Sequence, residues 1–288
     1  MSHHSANGVY KDTSPGGLSP EDEREAGLAR LRTAETVSMS PELFEKLYLS
    51  PQNKVSGDLR KTFANPTPIA LVGFLLSLTP LACDLMGWRG AGLFGAASIG
   101  VYFFQGGVLM LIAGILEWVL GNTFPAVVFT SFGGFWLSFG ATLTPAFNTY
   151  GFYTTPDQHV SEGLATTGFN ASLGFWLLFM GVLCFIYMIC ALRTNVVFVI
   201  IFLSLVVAFG LLAGAFFLQA ADYAANAAAA NRCLVGGGAS TFVTCMAGWY
   251  LLTAILLASV DFPVQLPVGD LSTMIKGHSQ KLTARGKA

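Results

Sequence analysis

The groups in this chain that could bind or steer a small ion are few, and they sit at the margins of long apolar runs. Glu117 is one of only two acids inside those runs, and Asn122 and Thr123 follow it within two helical turns, making a polar cluster at one mouth of a span. Asp84 is the other acid, at the far end of the first run. Ionisable side chains in spans are costly and more often functional than not, although a position this near water also fits a merely interfacial role. A second feature is Asn65-Pro66-Thr67-Pro68, two prolines at the start of the first run. Proline suits a helix start because the first-turn N–H groups have no internal partner, and those N–H groups form a partial positive end that attracts anions. The same residues also serve a plain helix start.

The remaining reactive types argue against chemistry. His3, His4, His159 and His278 all lie outside the apolar runs. No span therefore offers the imidazole pair of a membrane haem protein or a clustered metal site. The glycine-rich pieces lack the lysine of a phosphate-binding loop. No enzyme activity, catalytic residue, metal or cofactor is expected.

The elements that must position these groups are set by an uneven charge distribution. The 288 residues are 53% hydrophobic and 11% charged, and residues 65–260 hold only eight of the 31 charges. Soluble domains average about 25% charged residues, whereas apolar stretches of about twenty mark membrane spans. The fold class is thus an all-α membrane protein embedded in a lipid bilayer. Its parts are a polar, partly disordered tail at 1–64 with possible short helices at 19–22 and 40–48, a spanning domain at 65–260 and a second tail at 261–288. A net charge of −1 and the lack of any basic run give no case for nucleic-acid binding. The N-terminus, MSHHSANGVYKDTSPGG, does not read as a signal peptide. Five cysteines, four of them in apolar runs, argue against a disulfide framework.

Hydropathy windows place six spans at 68–86, 91–120, 124–147, 173–192, 196–219 and 242–260. An even number puts both tails on one side, which then carries 13 of the 15 Lys and Arg residues, the other side holding only Arg89 and Arg232. Both termini should be cytosolic, with the plasma membrane as the expected location. Gly92, Ala96, Gly100, Gly107 and Gly114 recur at helical spacing and predict a packing seam on one face of the second span, a device that Gly210 and Gly214 repeat in the fifth. The sequon Asn170-Ala171-Ser172 lies so near the fourth span that it should stay unmodified.

On these residues the chain resembles the acetate uptake transporters, the six-span acetate/succinate permeases of bacteria and fungi. NPTPIAL followed by Phe74 is similar to that family's Asn-Pro-Ala-Pro-Leu-Gly-Leu and its Phe. The stretch from Gly106 to Leu137, with AGILEW, GNTF and FTSFGGFWL, resembles the family's Ala-Gly-x-x-Glu, Gly-Asn-Thr-Phe and Thr-Ser-Tyr-Gly-x-Phe-Trp-Leu, and LPVGDLS after the last span has a fungal look. The resemblance implies six helices per protomer, a homo-hexamer, and in each protomer a path for a small carboxylate narrowed by a Phe, a Tyr and a Leu. These positions fall on Phe74, Phe132 and Leu205, with a slip to Leu203 as the alternative. The candidate binding or mouth residues are Asn65, Pro66, Glu117, Asn122 and Thr123, read from their types and positions, together with Gln105 and Met110, which fall on family motif positions.

The chain departs from the family at three of these points. Phe132 stands where the family has Tyr, Gln105 replaces the Tyr of Tyr-Gly-Gly, and Met110 replaces a Gln. These changes suggest a drier path with an altered substrate preference. A ring of Phe74, Phe132 and Leu205 opposes an ion because an unpaired carboxylate in an apolar medium loses its hydration at great cost. Desolvation favours the protonated acid, so proton coupling can follow without a titrating side chain. Two other readings stand beside this one: a channel or exporter for another small solute such as ammonia, and a membrane sensor or scaffold whose 64-residue head signals.

Overall fold

Among the described residues, six apolar stretches of the sequence become six helices long and apolar enough to cross a membrane. The computed structural model describes residues 63–271, so the short helices expected at 19–22 and 40–48 lie outside the described residues. We label the spans α1 (Thr67–Leu85), α2 (Leu93–Val119), α3 (Thr123–Leu143), α4 (Thr167–Ala191), α5 (Val196–Ala221) and α6 (Ala227–Ser259). No named strand occurs among the described residues, and the protein is an integral membrane protein of the all-α class. Large side chains such as Phe104, Trp118 and Phe179 point outward, as a lipid-facing surface requires.

An even number of spans brings the chain back to its starting side. That side, the proximal end, holds the start of α1, the α2–α3 turn, the α4–α5 turn and the segment after α6. The last of these is pinned there: Val196 N–H donates to the Gly269 carbonyl (2.8 Å) and Leu271 N–H to the Thr194 carbonyl (3.0 Å), while Tyr250 Oη donates to the Pro267 carbonyl (2.6 Å). Residues 266–271 are thus a short strap whose Val268 side chain is buried.

Neighbouring helices pair in the order α3-α2-α1-α6-α5-α4. Aromatic side chains then connect α3 to α4 and α5, through Phe135 with Trp176 (5.1 Å between centroids), Phe124 with Tyr187 (6.0 Å) and Phe135 with Phe209 (5.6 Å). In α5 and α6, Ser204 and Thr244 hydroxyls meet at 2.7 Å and Ser240 donates to the Ser204 carbonyl at 2.7 Å. Such polar ties are worth about 0.6–2 kcal/mol each between helices in a bilayer.

Two helix starts differ from the hydropathy windows. The fourth helix begins at Thr167, six residues before the expected 173, because Thr166 caps it by accepting from Phe169 N–H. The sixth begins at Ala227, fifteen residues before the expected 242. Ala227–Ala230 are strong helix formers, and Gly237 and Gly238 let α6 lie close on Leu212 and Leu85, so the helix continues through Arg232 and Gly236 where hydropathy dips.

The glycine seam is also corrected. Helix α2 is not uniformly wound: Leu93–Ser98 is 3₁₀, Tyr102–Leu109 is π-helical and Met110–Val119 is α-helical. A change of winding breaks the single 3.6-residue face that the spacing implied. Gly114 packs on Thr130, where an added Cβ would stand 2.9 Å from the Thr130 nitrogen, and Gly107 packs on Leu137. Gly92, Gly100, Gly210 and Gly214 meet nothing within 4 Å in the protomer.

Candidate functional site

Helix α1 starts at the proximal end with Asn65 and Pro66. The Asn65 side chain accepts from Thr67 N–H (3.0 Å), which satisfies one of the free donors of the first turn. The Thr67 hydroxyl then donates to Glu117 Oε1 (2.5 Å), and Asn122 Nδ2 donates to Glu117 Oε2 (2.6 Å). Glu117 is fully buried, as is Thr67, and Pro66 is buried beside them. One carboxyl group therefore ties the start of α1, the end of α2 and the α2–α3 turn together. Glu117 is enclosed by protein on all sides.

The other mouth candidates divide. Thr123 is exposed at the same end, outside the hydrogen-bonded cluster. Met110 is buried seven residues from Glu117, about 10 Å deeper along α2 at about 1.5 Å per residue. Gln105 is half-buried in the π-helical stretch, and its backbone carbonyl meets α1 at Gly73, a position where any Cβ would collide with it. Asp84 lies at the distal end of α1, half-buried.

Phe74, Phe132 and Leu205 come together. All three are 5% exposed or less and line one cavity of about 30 Å³, whose other walls include Leu78, Leu81, Trp136 and Leu212. The Phe74 and Phe132 rings meet edge to face at 5.8 Å and 72°. Leu203, the alternative register, is 51% exposed and faces away, so helix geometry selects Leu205. The one hydroxyl in the lining, that of Thr241, is turned back to the Gly237 and Gly238 carbonyls at 2.8 Å. A space of this size accepts a water or two.

Two residues that the sequence reading did not single out complete the site. Thr67 was visible only as a motif letter, since nothing in a sequence says that a hydroxyl at the start of α1 reaches an acid 50 positions later. Trp136 is fully buried against Tyr102, stacked at 5.1 Å and 22°, and its Nε1 has no hydrogen-bond partner. An aromatic beside the cavity with an orphaned donor could be suspected only once its surroundings were known. Asn170 is 1% exposed and donates to the Leu164 and Thr166 carbonyls at 2.8 Å each, which keeps the sequon asparagine out of reach.

The described residues thus combine six helices of membrane-spanning length, a hydrogen-bonded polar cluster at the proximal end and an apolar cavity within the same bundle. The chain belongs to the GPR1/FUN34/yaaH family, whose model matches residues 49–273. It is 49% identical to Protein alcS of Aspergillus fumigatus over 255 residues, 88% of this chain and 92% of that one. Acetate permease A of Emericella nidulans is 30% identical over 93% of this chain and 86% of its own length. Ammonia transport outward protein 2 of Saccharomyces cerevisiae is 36% identical over 52% of this chain and 50% of its own. Among solved structures, the bacterial acetate channel SatP superposes with a TM-score of 0.57 at 28% identity, covering 72% of this chain and 99% of that one.

Proposed function

We propose that the protein passes acetate and related small monocarboxylates across the plasma membrane, with its proximal end and both termini in the cytosol. Relatives that are an acetate permease and an acetate channel support this reading. The observation that carries it is the convergence of Phe74, Phe132 and Leu205 on one apolar cavity, with the Thr67–Glu117–Asn122 cluster at the proximal end of the same bundle. The cluster holds the proximal mouth in shape and offers polar groups there. The neck rejects the bare ion, because an unpaired carboxylate in apolar surroundings forfeits its hydration. The solute therefore crosses the neck as the neutral acid, and a proton moves with it. Each protomer has its own path, and six protomers assemble into a homo-hexamer.

The test is uptake of labelled acetate into proteoliposomes holding only this protein, with protein-free liposomes as the baseline for passive leak. Uptake above that baseline, accelerated by an acidic exterior, is expected. Uptake equal to the baseline under both conditions contradicts the reading. The ammonia-transport relative motivates one competing outcome: internal alkalinisation by external ammonium, without acetate uptake, would make ammonia the solute.

A further inference from the structure

The apolar cavity does not simply end at the distal side. Its walls continue along two stripes, Phe74, Leu78, Leu81 and Leu85 on α1 and Leu205, Phe209 and Leu212 on α5, each stepping by three or four residues so that it keeps one helical face. One more step on α5 reaches Phe216. There the ring of Phe94, from the 3₁₀ turn at the start of α2, stacks on Phe216 at 5.7 Å and 25°. The next residue, Gly95, is wedged against the end of α1: a Cβ added to it would stand 2.5 Å from Asp84 Oδ2 and would also strike the Tyr102 hydroxyl. That hydroxyl donates to the Phe94 carbonyl at 3.1 Å. The turn thus reaches from α1 to α5 across the distal end of the stripes.

The backbone of this turn is unusual. Leu93 and Phe94 have φ of 53° and 52°, the left-handed region that side-chain-bearing residues seldom occupy, and Gly95 follows at 66°. Such conformations persist where surrounding contacts over-determine them, and they gather at clamps and switch regions. Here the contacts are the Phe216 ring, the Tyr102 hydroxyl and the end of α1.

We propose that Phe94 is a second, distal barrier on the path, an aromatic plug carried on the 93–98 turn and seated on Phe216. This rests on the path described under the proposed function. Together with Phe74, Phe132 and Leu205 it encloses the cavity between two apolar closures, and a solute crosses one before the other. Leu81, buried between them, is sealed from the distal solution while the plug is seated.

The experiment reads that seal directly. Leu81→Cys protein in lipid nanodiscs is treated with a water-soluble methanethiosulfonate, and the parent with its native cysteines supplies the blank. Combining Leu81→Cys with Phe94→Ala should speed modification at least about ten-fold, the effect of lowering a barrier by about 1.4 kcal/mol. Phe94→Trp should leave it slow. Phe216→Ala, which removes the seat and not the plug, should also speed it, and it carries the test if Phe94→Ala does not elute as a folded protein. Equal rates in Leu81→Cys alone and in its combination with either alanine variant overturn the proposal. Acetate uptake by the wild-type chain is measured in parallel: its absence defeats the transport reading, while the labelling rates still decide whether Phe94 closes the cavity.

Discussion

The proximal cluster and the central cavity are about 10 Å apart along α1, from Thr67 to Phe74 at about 1.5 Å per residue, and they are built on opposite principles. At the cluster a buried carboxyl has donors of 2.5 and 2.6 Å, so the polar groups are fixed in place. At the cavity the side chains are carbon-walled and the one hydroxyl in the lining is turned away. In a low-dielectric interior an unpaired polar group is costly, so a protein that must let a polar solute through either supplies partners or offers none and lets only the neutral form pass. On the proposed path the mouth does the first and the neck the second.

The largest effect should come from breaking the mouth. Glu117→Ala removes the acceptor of the buried Thr67 hydroxyl, at about 1–3 kcal/mol, and takes one acceptor from the half-buried Asn122 amide. Thermal unfolding in detergent should show a loss of that order, together with a collapse of uptake. Glu117→Gln keeps the shape and one acceptor oxygen and should retain more of both. An alanine variant as stable as the parent would mean that the cluster does not hold the mouth together.

A smaller effect sharpens the account of the neck. Leu205→Ala widens the cavity, and relative uptake of longer monocarboxylates over acetate should rise by the equivalent of about 1–3 kcal/mol, the range over which a pocket discriminates one methylene. Phe132→Tyr adds a hydroxyl to carbon walls. It should cost about 1 kcal/mol of stability where that group stays unpaired, and it should move preference toward acetate. Both variants need their membrane abundance measured, since core truncations also destabilise.

The smallest expected change is at Trp136. Phenylalanine there keeps the stack on Tyr102 and removes the donor that has no partner, so the lost ring volume and the relieved N–H should offset to within about 1 kcal/mol. A large drop in thermal stability would show that Nε1 is satisfied by a group in the working protein.

The six-helix architecture was readable from the sequence, because twenty-residue apolar runs separated by rare charges have few other physical outcomes. Which residues meet at the cavity was readable only through motif resemblance, and the register between Leu203 and Leu205 needed the helix itself. The start of α6 was missed because a hydropathy window registers Arg232 and three glycines as an interruption, whereas a helix backbone is satisfied internally and continues through them. The winding changes in α2 were invisible for a related reason: a glycine spacing implies a common face only if every turn has 3.6 residues. Thr67 escaped attention because its partner is far away in the chain, and long-range hydrogen bonds leave no local pattern.

The central claim is that solute crosses the membrane between Phe74, Phe132 and Leu205. The most direct test compares two substitutions of identical chemistry two residues apart on α5, Leu205→Trp and Leu203→Trp, assayed for acetate uptake in proteoliposomes at matched protein content. Leu205 is 2% exposed and faces the cavity, while Leu203 is 51% exposed and faces outward. The account predicts that tryptophan at 205 fills the cavity and reduces uptake to the protein-free baseline, whereas tryptophan at 203 leaves it near wild type. Uptake that survives Leu205→Trp in a folded protein, or that is lost equally in both, would contradict a path through this cavity.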